Sequence, residues 1–155
     1  MTAMNSKNAV VPDAGTLATL RALAAQPPRS IDDALRATDK QAAHLRSLLP
    51  DISGQALTSL TDLIPSIIIE HDDDIPAPGI SFWAGGHWHM HTRASDPVDI
   101  QNFTVLHELK HIIDHPLRRR TTALSDIDWE ALANHFAARV FAHTRHPASS
   151  SPGRP

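Results

Sequence analysis

Apolar positions recur at helical spacing in both ends of the chain and at strand-like spacing between them. Leu17, Leu20 and Leu23 form a stripe that predicts a helix over residues 13–25, closed by Pro27-Pro28. Ser30 stands three residues before Asp33, a capping-box-like spacing that opens a second helix. Leu35, Ala42, Leu45, Leu48 and Leu49 are its expected buried face as far as Pro50. Ser53 is placed to cap a third, short helix through Leu57, Leu60 and Leu63, stopping before Pro65.

The pattern then changes period. Residues 66–70, S-I-I-I-E, are β-branched and short, as in a buried strand, and residues 71–74 read as a loop. Residues 80–84 and 87–92 flank Gly85-Gly86, which predicts a hairpin. Helical spacing returns over residues 98–115, ended by Pro116, and again over residues 126–143 after a polar connection containing Arg118, Arg119 and Arg120. That triplet reads as a solvated loop. The expectation is an α+β fold: N-terminal helices, a small three-stranded and largely antiparallel sheet, then two long helices. Residues 1–12 read as a flexible tail, residues 13–146 as a single domain (13–50 its N-terminal helices, 53–143 its core) and residues 147–155, rich in Ser, Pro and Gly, as a disordered tail.

Composition narrows the chemistry. With 155 residues the chain can bury one core. A net charge of −3 gives no general attraction to nucleic acid or an anionic membrane. No segment approaches the roughly 20 apolar residues that span a bilayer, and no signal-peptide core is visible, so a soluble, cytoplasmic protein is expected. There is no cysteine, so a bound zinc has only His, Asp and Glu to sit on. Histidine is abundant (11 residues), whereas the glutamates are Glu70, Glu108 and Glu130 alone.

Residues 107–111, H-E-L-K-H, fit H-E-x-x-H, in which two histidines one turn apart grip a zinc ion and the glutamate is the general base. Positions four apart share a helix face, with Cβ atoms about 5–6 Å from each other. Thr104, His107, Glu108 and His111 fall on one side of the helix, Val105, Leu106, Leu109, Ile112 and Ile113 on the adjoining apolar side. Lys110 and Asp114, again four apart, read as a solvent-side pair. A third ligand is needed. His115 lies eight residues from His107, about 12 Å along a helix, too far for both to bind one ion. Glu130 is the best placed, with Ala133 and Ala137 small enough for close helix packing, although spacing alone leaves a surface glutamate equally open. Asp126 and Asp128 are weaker rivals, since Asp is favoured there as a cap. Asn134, one turn after Glu130, is placed to orient a ligand imidazole.

His87, His89 and His91 alternate along a strand and so share one face. A second metal site, a substrate-lining row and an exposed hairpin face are the readings, the last being the plainest. In peptidases with a similar zinc helix an edge strand pairs with extended substrate, and the backbone of this strand is a candidate for that.

The stretch F-T-V-L-H-E-L-K-H-I-I-D-H at residues 103–115, followed by E-A-L-A-N-H-F-A-A at residues 130–138, resembles the ImmA/IrrE family of bacterial metallo-endopeptidases. Two linked motifs in order are far more specific than H-E-x-x-H alone, and the likeness extends over roughly residues 53–141. It implies a minimal zincin-like peptidase fold, Zn2+ on His107, His111 and Glu130, and Glu108 as the acid/base residue. Two departures stand out. Lys110 replaces a residue that is usually small, with access to the metal in question, and residues 139–143 lack the family's L-L-M-P ending. The resemblance further implies a zinc endopeptidase that cleaves a helix-turn-helix transcriptional repressor of a mobile element, phage or stress response, as an antirepressor does. The alternative is a non-proteolytic zinc-binding regulator or toxin-like partner that uses the same cleft for protein binding. The chain has no tyrosine to stabilise an oxyanion; His135, His143 and the strand histidines are the candidates in its place. The N-terminal helices read as a partner-docking element or a cover for the sheet, the cover being the plainer reading because their apolar stripes are ordinary core patterns.

Overall fold

The computed structural model describes residues 15–50 and 57–142. The expected tails, the Ser53 cap and His143 lie outside them. Chain order is α1 (Thr16–Ala22), α2 (Ile31–Leu48), α3 (Ser59–Leu63), β1 (Ile67–His71), β2 (Gly79–Ala84), β3 (His87–Thr92), α4 (Val98–Arg118) and α5 (Asp126–Ala142). This is the α+β arrangement expected: N-terminal helices, a three-stranded sheet and two long packed helices.

The sheet is mixed rather than largely antiparallel. Its order is β1-β3-β2, with β2 antiparallel to β3 and β1 parallel to it. The hairpin forms because Gly85 and Gly86 both take positive φ, 59° and 80°, the pairing a two-residue type I′ turn requires. A hairpin strand with β1 on its free side becomes central, so β3 offers no edge. The open edge beside α4 belongs to β2, and the substrate-pairing role considered for β3 does not fit.

One sheet face packs on α4. Met90 is fully buried there, in a core shared with Ile67, Val105, Leu106, Leu109, Ile113 and Phe136. On the far side of α4 lies α5, which packs in turn on α2, while α1 touches α2 and α4. The N-terminal helices therefore back the α4–α5 pair instead of covering the sheet. Their buried face also differs from the leucine stripe expected. Ala34, Thr38, Gln41, Ala42 and Leu45 face inward in α2, and Leu48 is exposed. Two polar residues are tolerated because both are bonded: Thr38 Oγ1 donates to Ala34 O (2.8 Å) and Gln41 Nε2 to Leu20 O (2.9 Å).

Gln41 also settles the place of Lys110. Lys110 Nζ donates to Gln41 Oε1 (2.8 Å) and Asp114 Oδ1 (2.6 Å), and both charged residues are buried. The pair expected in solvent is a core ion pair, because α1 and α2 cover that side of α4. Burial pulls the Lys110 ammonium below its ordinary pKa and pushes the Asp114 carboxyl above its own, each opposed by the other's charge.

Pro116 does not end α4, which runs on to Arg118. The proline removes the N–H that would bond Ile112 O and normally breaks a helix there. Arg21 Nη2 donates to that same carbonyl at 2.8 Å, so the orphaned acceptor is satisfied from α1. Helix α5 opens on a reciprocal box: Asp128 N donates to Ser125 Oγ (3.2 Å) and Ser125 N to Asp128 Oδ2 (2.9 Å). No helix among the described residues is long and apolar enough to cross a membrane.

Candidate metal centre

Helix α4 presents His107 and His111 one turn apart at the floor of a cleft of about 750 Å³. Their Nε2 atoms are 3.1 Å apart. Helix α5 closes in from the side. Ala133 and Ala137, both fully buried, allow the close approach, and Trp129, buried among Leu117, Leu124 and Leu132, anchors its first turn. Glu130, next in sequence, is thereby aimed at the histidines. Its Oε1 lies 3.0 Å from His111 Nε2 and its Oε2 3.2 Å from His107 Nε2.

These separations fit one ion. Ligands held tetrahedrally at zinc's usual distances of about 2.0–2.1 Å sit about 3.3 Å from each other. Two imidazole nitrogens and a carboxylate at 3.0–3.2 Å are close to that spacing. His107, His111 and Glu130 thus form a candidate metal-binding group. The rivals for the third ligand are engaged elsewhere: Asp128 in the α5 cap and Asp126 with Arg118 Nη2 at 2.7 Å.

Ring orientation is set from behind. His107 Nδ1 contacts Asn134 Oδ1 at 2.9 Å. An amide oxygen only accepts, so Nδ1 carries the proton and Nε2 keeps its lone pair. Burial lowers the His111 pKa, with His107 acting in the same direction and Glu130 against it. That favours the neutral imidazole a metal needs.

Glu108 points from α4 toward the sheet rather than into the ligand trio. Its carboxylate is buried, and Ser81 Oγ donates to Oε2 at 2.7 Å. Ser81 was not among the residues singled out from sequence. No short-range pattern links a strand serine to a helix 27 residues later; only its alternation with Phe82 could have placed it on the inward face. Gly79 is needed in the same contact, since a Cβ there would collide with Thr104 Cγ2 and lie 3.3 Å from Glu108 Cγ.

Lys110 lies on the opposite side of α4, so it does not obstruct the cleft. His135 is turned to α2, where Nε2 meets Asp39 Oδ1 at 2.8 Å, and the strand histidines lie on the outer sheet face. None of these described candidates lines the cleft. The cleft wall contains His115 and Arg118 instead. His115 is held against Trp88, ring centroids 5.1 Å apart, and burial with Arg119 and Arg21 nearby lowers its pKa.

No known protein family, characterised protein or solved structure matches the chain.

Proposed function

We propose that the protein is a zinc-dependent endopeptidase. The observation that carries this is the meeting of His107, His111 and Glu130 in an open cleft, with the Glu108 carboxylate held beside them by Ser81. The likeness of residues 103–115 and 130–138 to ImmA/IrrE peptidases agrees with it.

Zinc held by His107, His111 and Glu130 would acidify a water and polarise a carbonyl. The chain does the rest. Glu108 takes the proton from the attacking water and delivers it to the leaving amine. Ser81 keeps one carboxylate oxygen engaged and leaves the other for the proton. Asn134 keeps His107 in the ligating tautomer. The edge of β2, unpaired among the described residues and with Gly79 and Ser81 in the cleft wall, takes an extended peptide as an added strand. His115 and Arg118 are the donors available to a developing oxyanion.

The substrate proposed, on the resemblance, is a helix-turn-helix repressor encoded beside the protein. The test is incubation of that repressor with wild type and with Glu108→Gln. Cleavage by wild type alone, with equal zinc content in both, is the expected result. A stable complex without cleavage by either form overturns the peptidase in favour of a binding role for the cleft.

A further inference from the structure

We propose that Glu70, His89 and His91 form a second metal site, for a divalent transition ion, on the outer face of the sheet. The third glutamate of the chain lies on β1, and the parallel register sets Glu70 directly beside His91 on β3. His89, two residues earlier, projects from the same face. Each residue offers a ligand atom within 4.8 Å of the others.

Three features distinguish this trio from a row of exposed histidines. First, His91 Nε2 is shut off from solvent and has no hydrogen-bond partner among the described residues, although Glu70 Oε2 is 3.0 Å away. The two atoms are close without the alignment of a hydrogen bond, as expected for two donors that face a common ion. Second, His89 Nε2 lies 3.1 Å from Ala84 O. A carbonyl only accepts, so Nε2 carries the proton and Nδ1 is left as the lone pair, the backbone device that fixes a ligand tautomer. Third, Phe82 stacks flat on the His89 ring, centroids 5.1 Å apart and planes 5° from parallel, and also meets His91 at 5.3 Å. Both rings are held before any ion arrives. His87, the third histidine of the row, turns to Gly85 O at 3.2 Å and stays outside the group.

Two imidazoles and one carboxylate suit Zn2+, Ni2+ or Cu2+ rather than Mg2+ or Ca2+, which prefer oxygen alone. Glu70 is half exposed, so the remaining positions open to solvent. An ion there ties the edge strand β1 to the central strand β3, on the face opposite α4.

The test is calorimetric titration of the chelator-stripped full chain with Zn2+. Wild type should take two ions. His107→Ala/His111→Ala should take one, and adding His91→Ala should abolish it. Glu70→Gln, at an exposed position, guards against misfolding of the His91 variant and should weaken the second step by more than about tenfold, since even outer partners of a metal are worth that much. A wild type that takes one ion and loses it in His107→Ala/His111→Ala overturns the proposal. So does a second step that is unchanged by both His91→Ala and Glu70→Gln. One ion retained in His107→Ala/His111→Ala but lost with His91→Ala sustains this site even where the peptidase site fails.

Discussion

At the scale of single residues, the candidate centre depends on a side chain that is itself exposed. Asn134 Oδ1 holds His107 Nδ1 at 2.9 Å and contributes little packing. Asn134→Ala should therefore leave the melting temperature of the metal-free protein unchanged and weaken zinc binding about 10–100-fold, read by competition with a chelator of known affinity. Equal affinities in the two proteins would remove the orienting role. Lys110 and Asp114 make a different case, a pair whose partners cannot be separated cheaply. Lys110→Met leaves a carboxylate buried and should cost about 3–5 kcal/mol, whereas Lys110→Met/Asp114→Leu should recover most of it. The pH dependence has a definite sign. Asp114 already sits above its ordinary 3.8, and losing the ammonium raises it further. Between pH 3.8 and the folded pKa the native state keeps a proton that the unfolded chain has released. The stability of Lys110→Met should thus fall as pH rises through the folded pKa and recover toward pH 4. Denaturant titrations across that range, compared with wild type, check it.

At the scale of elements, two contacts decide how α4 sits. Gly79 lets β2 approach α4 closely enough for Ser81 to reach Glu108. Gly79→Ala forces the strand away from Thr104, and overpacking of this kind costs about 1–3 kcal/mol. Zinc content should stay at the wild-type level while the proposed peptide hydrolysis falls, because the candidate ligands are on the helices and only Glu108 depends on the strand. A proportional loss of zinc would show that β2 supports the whole centre. The second contact is Arg21 with Ile112 O. Arg21→Met leaves a carbonyl without its side-chain donor, a loss of about 1–3 kcal/mol. In a Pro116→Ala background the restored N–H competes for the same carbonyl, so the Arg21 effect should shrink. A double-mutant cycle in urea measures that difference, and additivity of the two changes would refute the link.

The whole molecule is a stack in which the sheet, α4, α5 and α2 follow one another, and the candidate centre lies where α4 meets α5. An ion there adds a link between two helices already packed through Ala133, Phe136 and Ala137. Any ligand of the native state stabilises it by mass action, about 2.7 kcal/mol at a hundred times its dissociation constant. Saturating Zn2+ should raise the melting temperature by several degrees, a chelator should reverse it, and Glu130→Ala should abolish most of the gain. A Glu130→Ala protein that gains as much as wild type would place the ion elsewhere.

Much of this was legible along the chain, for local reasons. Helix spacing alone puts His107 and His111 on one face, because a four-residue separation is one turn. Gly85-Gly86 specifies the hairpin because both positions need positive φ. Ser30 and Asp33 cap as their spacing demands, with Asp33 N on Ser30 Oγ at 3.2 Å. What the sequence left open was every question of which surfaces meet. Glu130 was one of two readings until α5 turned it onto the histidines. Lys110 and Asp114 carry charges that favour solvent, and only the covering α1 and α2 bury them. Pro116 breaks helices unless a donor arrives from outside, and Arg21 comes from 91 residues before the Ile112 carbonyl it caps. Glu70 gained its neighbour His91 through a parallel pairing that no local pattern encodes. Periodicity, caps and turns act over a few residues, so the chain states them outright. Contacts between distant segments are chosen by the packing of the entire fold, and these alone decided the third candidate ligand, the partner of Glu108 and the central position of β3.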